Sequence, residues 1–183
     1  MKNLEAVRVI GEGKGRLHIR EQQYLFGLES VLKENNDWIM AVTIPLHGEE
    51  ALIFPKLNEK NAENLEMESF ARRIDAGIQQ NLKNSQLRGS DFIVALRKTV
   101  RFLLASRLKL PVTCKKTSCT LDDEEFLIAK GEKTLQITTK LPHHQLITTA
   151  SNLTGPFFLH TQFKVTPNES KQDLLTLELF WQE

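Results

Sequence analysis

The fold is decided by residues 15–54, which read GRLHIREQQYLFGLESVLKENNDWIMAVTIPLHGEEALIF. Apolar and polar residues alternate here, so that Leu17 and Ile19 would lie on one face of a strand and His18 on the other. The turn-forming segment KENND at 33–37 separates this run from a second alternating one. The stretch therefore predicts consecutive antiparallel strands, and it contains no evident catalytic group.

The middle of the chain has a helical pattern instead. Residues 61–81 are acidic and contain alanine, and their candidate buried positions are Leu65, Phe70, Ile74 and Ile78. A clearer helix starts near Ser90, a suitable N-cap residue, and should end before Pro111. Its apolar positions recur at spacings of four, four and three: Phe92, Leu96, Val100 and Leu103. The pattern predicts two central helices.

Alternation returns after Pro111 and continues towards the end of the chain. Residues 125–129 and 134–139 flank the loop KGEK, a combination that favours a hairpin. The last strand would place four apolar residues on one face: Leu175, Leu177, Leu179 and Trp181. This part of the chain therefore predicts a second block of antiparallel strands.

Length and composition are consistent with a single folded domain. The chain has 183 residues, of which 40% are hydrophobic and 26% charged, and these values are ordinary for a globular protein. We predict a single domain over 1–183 of the α+β class. Its curved antiparallel sheet would have about nine to eleven strands, in 6–54 and 112–181, with the helical segment 61–107 between them.

The compartment is predicted from the apolar runs of the chain. No run approaches the roughly 20 residues that span a bilayer, so no transmembrane helix is expected. The first residues, MKNLEAVR, lack the apolar segment of a signal peptide. The expectation is a cytoplasmic location, or the periplasm or the periplasmic face of the outer membrane if a leader has been removed.

The two cysteines, Cys114 and Cys119, flank the sequence KKTS, which could form the tip of a hairpin. Three interpretations are open. A disulfide would indicate an oxidising compartment, whereas two reduced thiols would indicate nothing about location. A zinc site would need two further ligands, and the pattern has no second matched pair, so no metal is predicted.

The chain contains no recognisable catalytic motif. Gly11, Gly13 and Gly15 follow a predicted strand, but Arg16 stands where a dinucleotide-binding fingerprint needs a third glycine. The sequence lacks H-E-x-x-H and G-x-S-x-G, and its histidines are expected at surfaces or turns. We therefore predict no catalytic residue and no cofactor, and an enzyme of unrecognised class is only the third hypothesis.

Positive charge is concentrated in residues 83–116, which carry a net charge of +8 while the whole chain carries +1. Arg97, Lys98 and Arg101 fall on a helix face other than the apolar one. These residues could contact anionic lipid head groups or nucleic-acid phosphates, or they could form a solvated face. Nucleic acid is disfavoured because no recognisable binding module accompanies the charge.

The order of segments resembles a known family. GKGRLHI at 13–19 is followed by an aromatic-rich strand, by DWIMAVTIPLHGEEALIF at 37–54, and then by a helix and a second block of strands. This order resembles the LolA/LolB group of bacterial lipoprotein carriers and receptors. The resemblance implies an incomplete, strongly curved antiparallel barrel whose concave apolar face is covered by helices and holds acyl chains. Carried onto this chain, it implies a pocket lined by Phe26, Trp38, Met40, Phe54, Phe92, Leu96 and Leu103.

The expected function follows from this resemblance and from the apolar aromatic content, which is ten Phe against two Trp and one Tyr. We expect non-catalytic binding of a lipid or lipoprotein acyl chain in the bacterial cell envelope, with peripheral contact to anionic membrane through the basic helix face. The alternative is a protein-interaction module with a filled core and no ligand.

Overall fold

The computed structural model describes residues 7–33, 38–44, 48–54, 69–105, 110–154 and 157–182. These residues form eleven strands and two helices. The first block of strands is β1 (Val7–Ile19), β2 (Gln22–Lys33), β3 (Trp38–Ile44) and β4 (Gly48–Phe54). The helices are α1 (Ser69–Asn81) and α2 (Gly89–Leu104). The second block is β5 (Thr113–Lys115), β6 (Ser118–Leu121), β7 (Glu124–Lys130), β8 (Thr134–Leu141), β9 (His144–Thr154), β10 (Phe157–Pro167) and β11 (Leu175–Trp181).

All eleven strands belong to one antiparallel sheet, in the order β4-β3-β2-β1-β11-β10-β9-β8-β7-β6-β5. The two blocks join where β1 pairs with β11, with Leu17 opposite Leu177. The edge strands β4 and β5 do not pair with each other in the described residues, so the sheet is not closed. The predicted fold, an α+β incomplete barrel of about nine to eleven antiparallel strands with two helices, is confirmed.

Alternation along the strands decides which face is covered by the helices. Leu175, Leu177 and Leu179 are buried, whereas Phe180 on the opposite face is exposed. The helices pack against the sheet, α1 against β1 and β4 and α2 against β8 and β9. Ile74 and Phe92 therefore enter the same apolar cluster as the inner faces of the strands. The other helix positions expected to be buried include Leu65, which lies outside the described residues, as does the side chain of Phe70.

The start of α2 differs from the prediction. The helix begins at Gly89 and not after Ser90, and no side chain caps it from the N-cap position. Its first amide donates instead to Oδ1 of Asp75 on α1, at 2.8 Å. The helices approach so closely here that a Cβ on Gly89 would lie 2.5 Å from the Asp75 Cα. The N-cap prediction was wrong because the capping carboxylate comes from a neighbouring helix, which local sequence does not reveal.

The glycines near residue 13 lie inside strand β1 and not in a phosphate-binding turn. The pairing of β1 with β2 shifts between Val9 and Gly11, as at a β-bulge. The Phe26 ring lies against the backbone of Gly15, in space that a Cβ would occupy. Glycine is therefore needed here for close packing of an aromatic ring, a structural role.

Candidate functional site

The seven residues expected to line an apolar pocket lie on four elements of the fold, namely three strands and one helix. Phe26 lies on β2, Trp38 and Met40 on β3, Phe54 on the edge strand β4, and the rest on α2. Trp38 and Phe54 are directly paired across β3 and β4. The side chains of Trp38, Met40 and Phe54 lie outside the described part of the structure.

Three of the seven residues pack together in the main core. Phe26, Phe92 and Leu96 all belong to the large apolar cluster between the sheet and the helices. Phe92 has 0% of its surface accessible, so no void large enough for a water molecule touches it. Among the described residues, this part of the concave face is therefore packed.

Leu103 belongs to a second, smaller apolar cluster at the end of α2. Its buried members are Phe102, Ala105, Cys119, Leu121, Phe126 and Ile137. Phe102 and Phe126 form its centre, with ring centroids 4.6 Å apart and planes inclined by 28°. Rings at this distance gain stacking energy beyond the burial of their surface. The second cluster thus joins the last turns of α2 to strands β6, β7 and β8.

Five half-buried apolar side chains border this second cluster. We call them the apolar rim: Leu103, Leu110, Val112, Ile128 and Leu135. Register explains two of them, since Ile128 pairs with buried Ile137 and therefore lies on the same sheet face as that residue. α2 ends at Leu104, so Leu110 and Val112 follow the helix. The apolar rim is therefore the least covered part of this apolar surface among the described residues.

The basic face of α2 is largely engaged within the fold. The Arg101 guanidinium makes an ion pair with Asp122 at 2.7 Å, and 8% of its side chain is exposed. Burial lowers the pKa of Arg101, and the charge of Asp122 partly opposes that effect. Lys98 pairs with Glu124 at 2.5 Å and is more exposed. The burial of Arg101 removes it from any outer surface, while membrane contact through Lys98 and the half-buried Arg97 stays a prediction.

Cys114 and Cys119 are bonded as a disulfide across the β5–β6 hairpin. The two residues face each other in the register of this hairpin. Cys119 is buried in the second cluster, whereas Cys114 is exposed. The structure therefore contains the disulfide, one of the three interpretations left open by the sequence, and it attaches the hairpin to the second cluster.

The histidines do not all occupy exposed turns. His143 lies in the β8–β9 turn with a left-handed φ of 60°. His144 is only 2% exposed, so the expectation of a surface position was wrong for this residue. His160 stacks on Phe180 at 4.6 Å between ring centroids. In the described residues no three His, Cys, Asp or Glu side chains are grouped closely enough to hold a metal ion.

Neither helix of the described part is long and apolar enough to cross a membrane.

No family model matches this chain, and no curated protein sequence matches it. Among solved structures, the chain is similar to a LolA superfamily protein from Nitrosomonas europaea. The two chains are 10% identical, the match covers 99% of this chain and 86% of the other, and the TM-score is 0.37. The likeness concerns the fold only, and nothing about function is taken from it.

Sequence reasoning found Leu103 but missed the rest of the apolar rim. Ile128 and Leu135 carried a usable signal, because they lie at alternating positions of two predicted strands. Leu110 and Val112 carried none, since they lie in an irregular segment between α2 and β5. Only the packing of that segment against the second cluster identifies them.

Proposed function

We propose that this protein binds a lipid or lipoprotein acyl chain, without catalysis, on the concave face of its open sheet. The observation that carries the proposal is the apolar rim, where five half-buried aliphatic side chains pack against a buried apolar cluster. Such a surface offers no fixed polar contact, but each methylene of an acyl chain buried on it would contribute about 0.8 kcal/mol. Affinity could therefore arise without any polar motif.

The packing suggests where the chain would enter. The main core is closed around Phe92 and Leu96, whereas the second cluster has a half-exposed border. An acyl chain would first cover Ile128, Leu135 and Leu110, and deeper insertion would require the end of α2 to move. Movement there disturbs fewer buried contacts than opening of the main core.

The disulfide supports a location in the cell envelope as part of this proposal. Disulfides form and persist in oxidising compartments, such as the bacterial periplasm, and are rare in the cytosol. Cys114 and Cys119 form such a bond across the β5–β6 hairpin, with Cys114 exposed and Cys119 buried. An acyl-chain carrier would meet its cargo in that compartment.

The test is binding of a fluorescent fatty acid to wild-type protein and to two variants of strand β7. Ile128→Gln places a polar group in the apolar rim and should weaken binding about tenfold, because about 1 to 2 kcal/mol of apolar contact is lost. Leu127→Gln is the matched control, since Leu127 immediately precedes Ile128, is 44% exposed and lies on the opposite face of the sheet. Both variants must show cooperative unfolding before their affinities are compared.

Two outcomes would contradict the proposal. Wild-type protein without saturable fatty-acid binding would refute it directly. Equal weakening by Ile128→Gln and Leu127→Gln would show that binding is not localised on the rim. Native mass spectrometry of protein purified from its own host adds an independent readout, because a carrier should retain co-purifying lipid.

A second candidate function, protein interaction without a ligand, is favoured by the filled main core. Phe92, Leu177 and Phe163 have at most 1% of their surface accessible, so the described part of the main core is filled by the protein's own side chains. Consistently lipid-free protein with no fatty-acid binding would support this second function.

A further inference from the structure

A polar cleft lies at one end of the sheet, where four connections meet. They are the β1–β2, β8–β9 and β10–β11 turns and the α1–α2 loop, and they line an open cleft of about 440 Å³. This volume lies within the range of about 300 to 1,000 Å³ found for small-molecule sites. Its polar lining includes Arg20, Asn84, Gln86, His144, Asn168 and Glu169. None of the apolar rim residues lines this cleft.

Hydrogen bonds fix two of the cleft walls. The amide of Asn168 donates to the carbonyl oxygen of His143 at 3.1 Å, which ties the β10–β11 turn to the β8–β9 turn. In the α1–α2 loop, Ser85 Oγ donates to the carbonyl oxygen of Leu82 at 2.7 Å and accepts from the amide of Leu87 at 3.2 Å. The cleft therefore has a defined shape and not the shape of a chance gap between loose loops.

Three of the four connections place a side-chain-bearing residue in the left-handed backbone region. The φ angles are 53° at Arg20, 58° at Gln86 and 60° at His143. Glycine or asparagine would adopt this conformation more easily, because other L-residues lose roughly 1 kcal/mol there. At Arg20 and His143 this conformation belongs to two-residue hairpin turns, which commonly need a positive φ, so it fixes how these two turns border the cleft.

The polar side chains of the cleft differ in burial, since Arg20, Asn84, Gln86, Asn168 and Glu169 are exposed and His144 is buried. His144 is almost fully buried, and its Nδ1 lies 2.9 Å from the carbonyl oxygen of Pro142. That oxygen can only accept, so Nδ1 carries a hydrogen. The side chains of Arg20 and Glu169 form no ion pair with each other or with another described residue.

From these groups we infer that the cleft binds a small zwitterion, with Arg20 contacting its oxyanion and Glu169 its ammonium group. A simple anion would be repelled by Glu169, and a simple cation by Arg20, whereas a molecule with both charges satisfies both side chains. The amides of Asn84, Gln86 and Asn168 supply donors and acceptors between the two ends. Free amino acids and the phosphoethanolamine head group of lipids share this chemistry. The inference does not depend on acyl-chain binding.

The test is a titration of ¹⁵N-labelled protein with O-phosphoethanolamine, followed by amide chemical shifts. We expect saturable shifts confined to residues 20, 84–86, 143–144 and 168–169, with a dissociation constant of about 1 mM. Arg20→Asn removes the guanidinium but keeps a residue that accepts left-handed backbone, and Glu169→Gln removes the carboxylate charge. Each should weaken binding at least about tenfold, since each removes a charged hydrogen bond.

Matched controls lie in the β7–β8 turn, at the other end of β8. Lys133→Asn and Glu132→Gln remove one charge of each sign from exposed positions and should leave the affinity unchanged. Equal weakening by these controls would overturn the inference. So would the absence of saturable shifts at the cleft, or inorganic phosphate binding there as tightly as O-phosphoethanolamine.

The two sources of the zwitterion are separated by competition. Displacement of O-phosphoethanolamine by vesicles of phosphatidylethanolamine in phosphatidylcholine would identify a lipid head group as the ligand. Saturable binding of free serine, with no displacement by the vesicles, would identify an amino acid. Both outcomes support a zwitterion site, and neither uses the fatty-acid assay that tests the apolar rim.

Discussion

Glu178 of β11 contacts several polar side chains on the outer face of the sheet. Arg16 Nε donates to its Oε2 at 2.8 Å, Arg16 Nη2 forms an ion pair with the same oxygen at 2.6 Å, and Gln162 donates to Oε1 at 3.1 Å. His160 lies 3.5 Å away and stacks on Phe180. Burial by itself would raise the pKa of Glu178, but the hydrogen bonds and the positive charge of Arg16 outweigh burial and lower the pKa.

The lowered pKa predicts a loss of stability in acid. Because folding favours the ionised carboxylate, Glu178 adds to the free energy of unfolding. This contribution is fully present above the pKa of the unfolded state, about 4.3, and it is lost as the pH falls through the lower pKa of the folded state. Glu178→Gln should reduce the free energy of unfolding by about 2 kcal/mol at pH 7 and by less near pH 3. Urea unfolding of both proteins at the two pH values measures this, and a difference that is constant with pH would contradict the prediction.

At the scale of elements, the strand assignments follow from alternation, while helix ends depend on neighbours. The inner face of β11 was evident because a period of two appears in any strand with one buried face. The start of α2 was not evident, because its capping group Asp75 lies 14 residues earlier on another helix. The burial of Arg101 was not evident for the same reason, because its ion-pair partner Asp122 lies in the turn between β6 and β7.

The cap at Gly89 gives a prediction for the helix pair. Asp75→Ala should lower the free energy of unfolding by about 1 kcal/mol, because the Gly89 amide loses its acceptor. Asp75→Asn is the matched control, since its side-chain oxygen can still accept from Gly89 and little stability should be lost. Denaturant unfolding compares the three proteins. Equal loss in both variants would mean that the charge of Asp75, and not the cap, provides the stabilisation.

At the scale of the whole molecule, the apolar interior is divided into a main cluster and a second cluster. The main cluster joins β1, β2 and β11 to both helices, whereas the second cluster joins the end of α2 to β6, β7 and β8. The proposed acyl-chain surface lies on the second cluster, and the zwitterion cleft lies at the turns around β1, β9 and β11. The two proposed sites therefore use different parts of one sheet.

This division predicts a local effect of reducing the disulfide. Breaking the Cys114–Cys119 bond should cost about 2 kcal/mol, because it frees only a short loop in the unfolded chain. Amide hydrogen exchange should accelerate in β5, β6 and β7 and stay unchanged in β10 and β11. The double variant Cys114→Ser and Cys119→Ala, which places no hydroxyl in the second cluster, should show the same pattern of faster exchange as reduced wild-type protein. Uniform acceleration across all strands would show that the two clusters unfold as one unit.

The sequence by itself determined the antiparallel strands, the two helices between them and the faces that most strands bury. These features follow from periodicity, which is a local property of the chain. Only the tertiary structure decided the pairing of β1 with β11, the burial of Arg101 and His144, the disulfide, the apolar rim and the polar cleft. Each of these depends on groups far apart in sequence, and a contact between such groups is set by how the whole sheet and its helices pack.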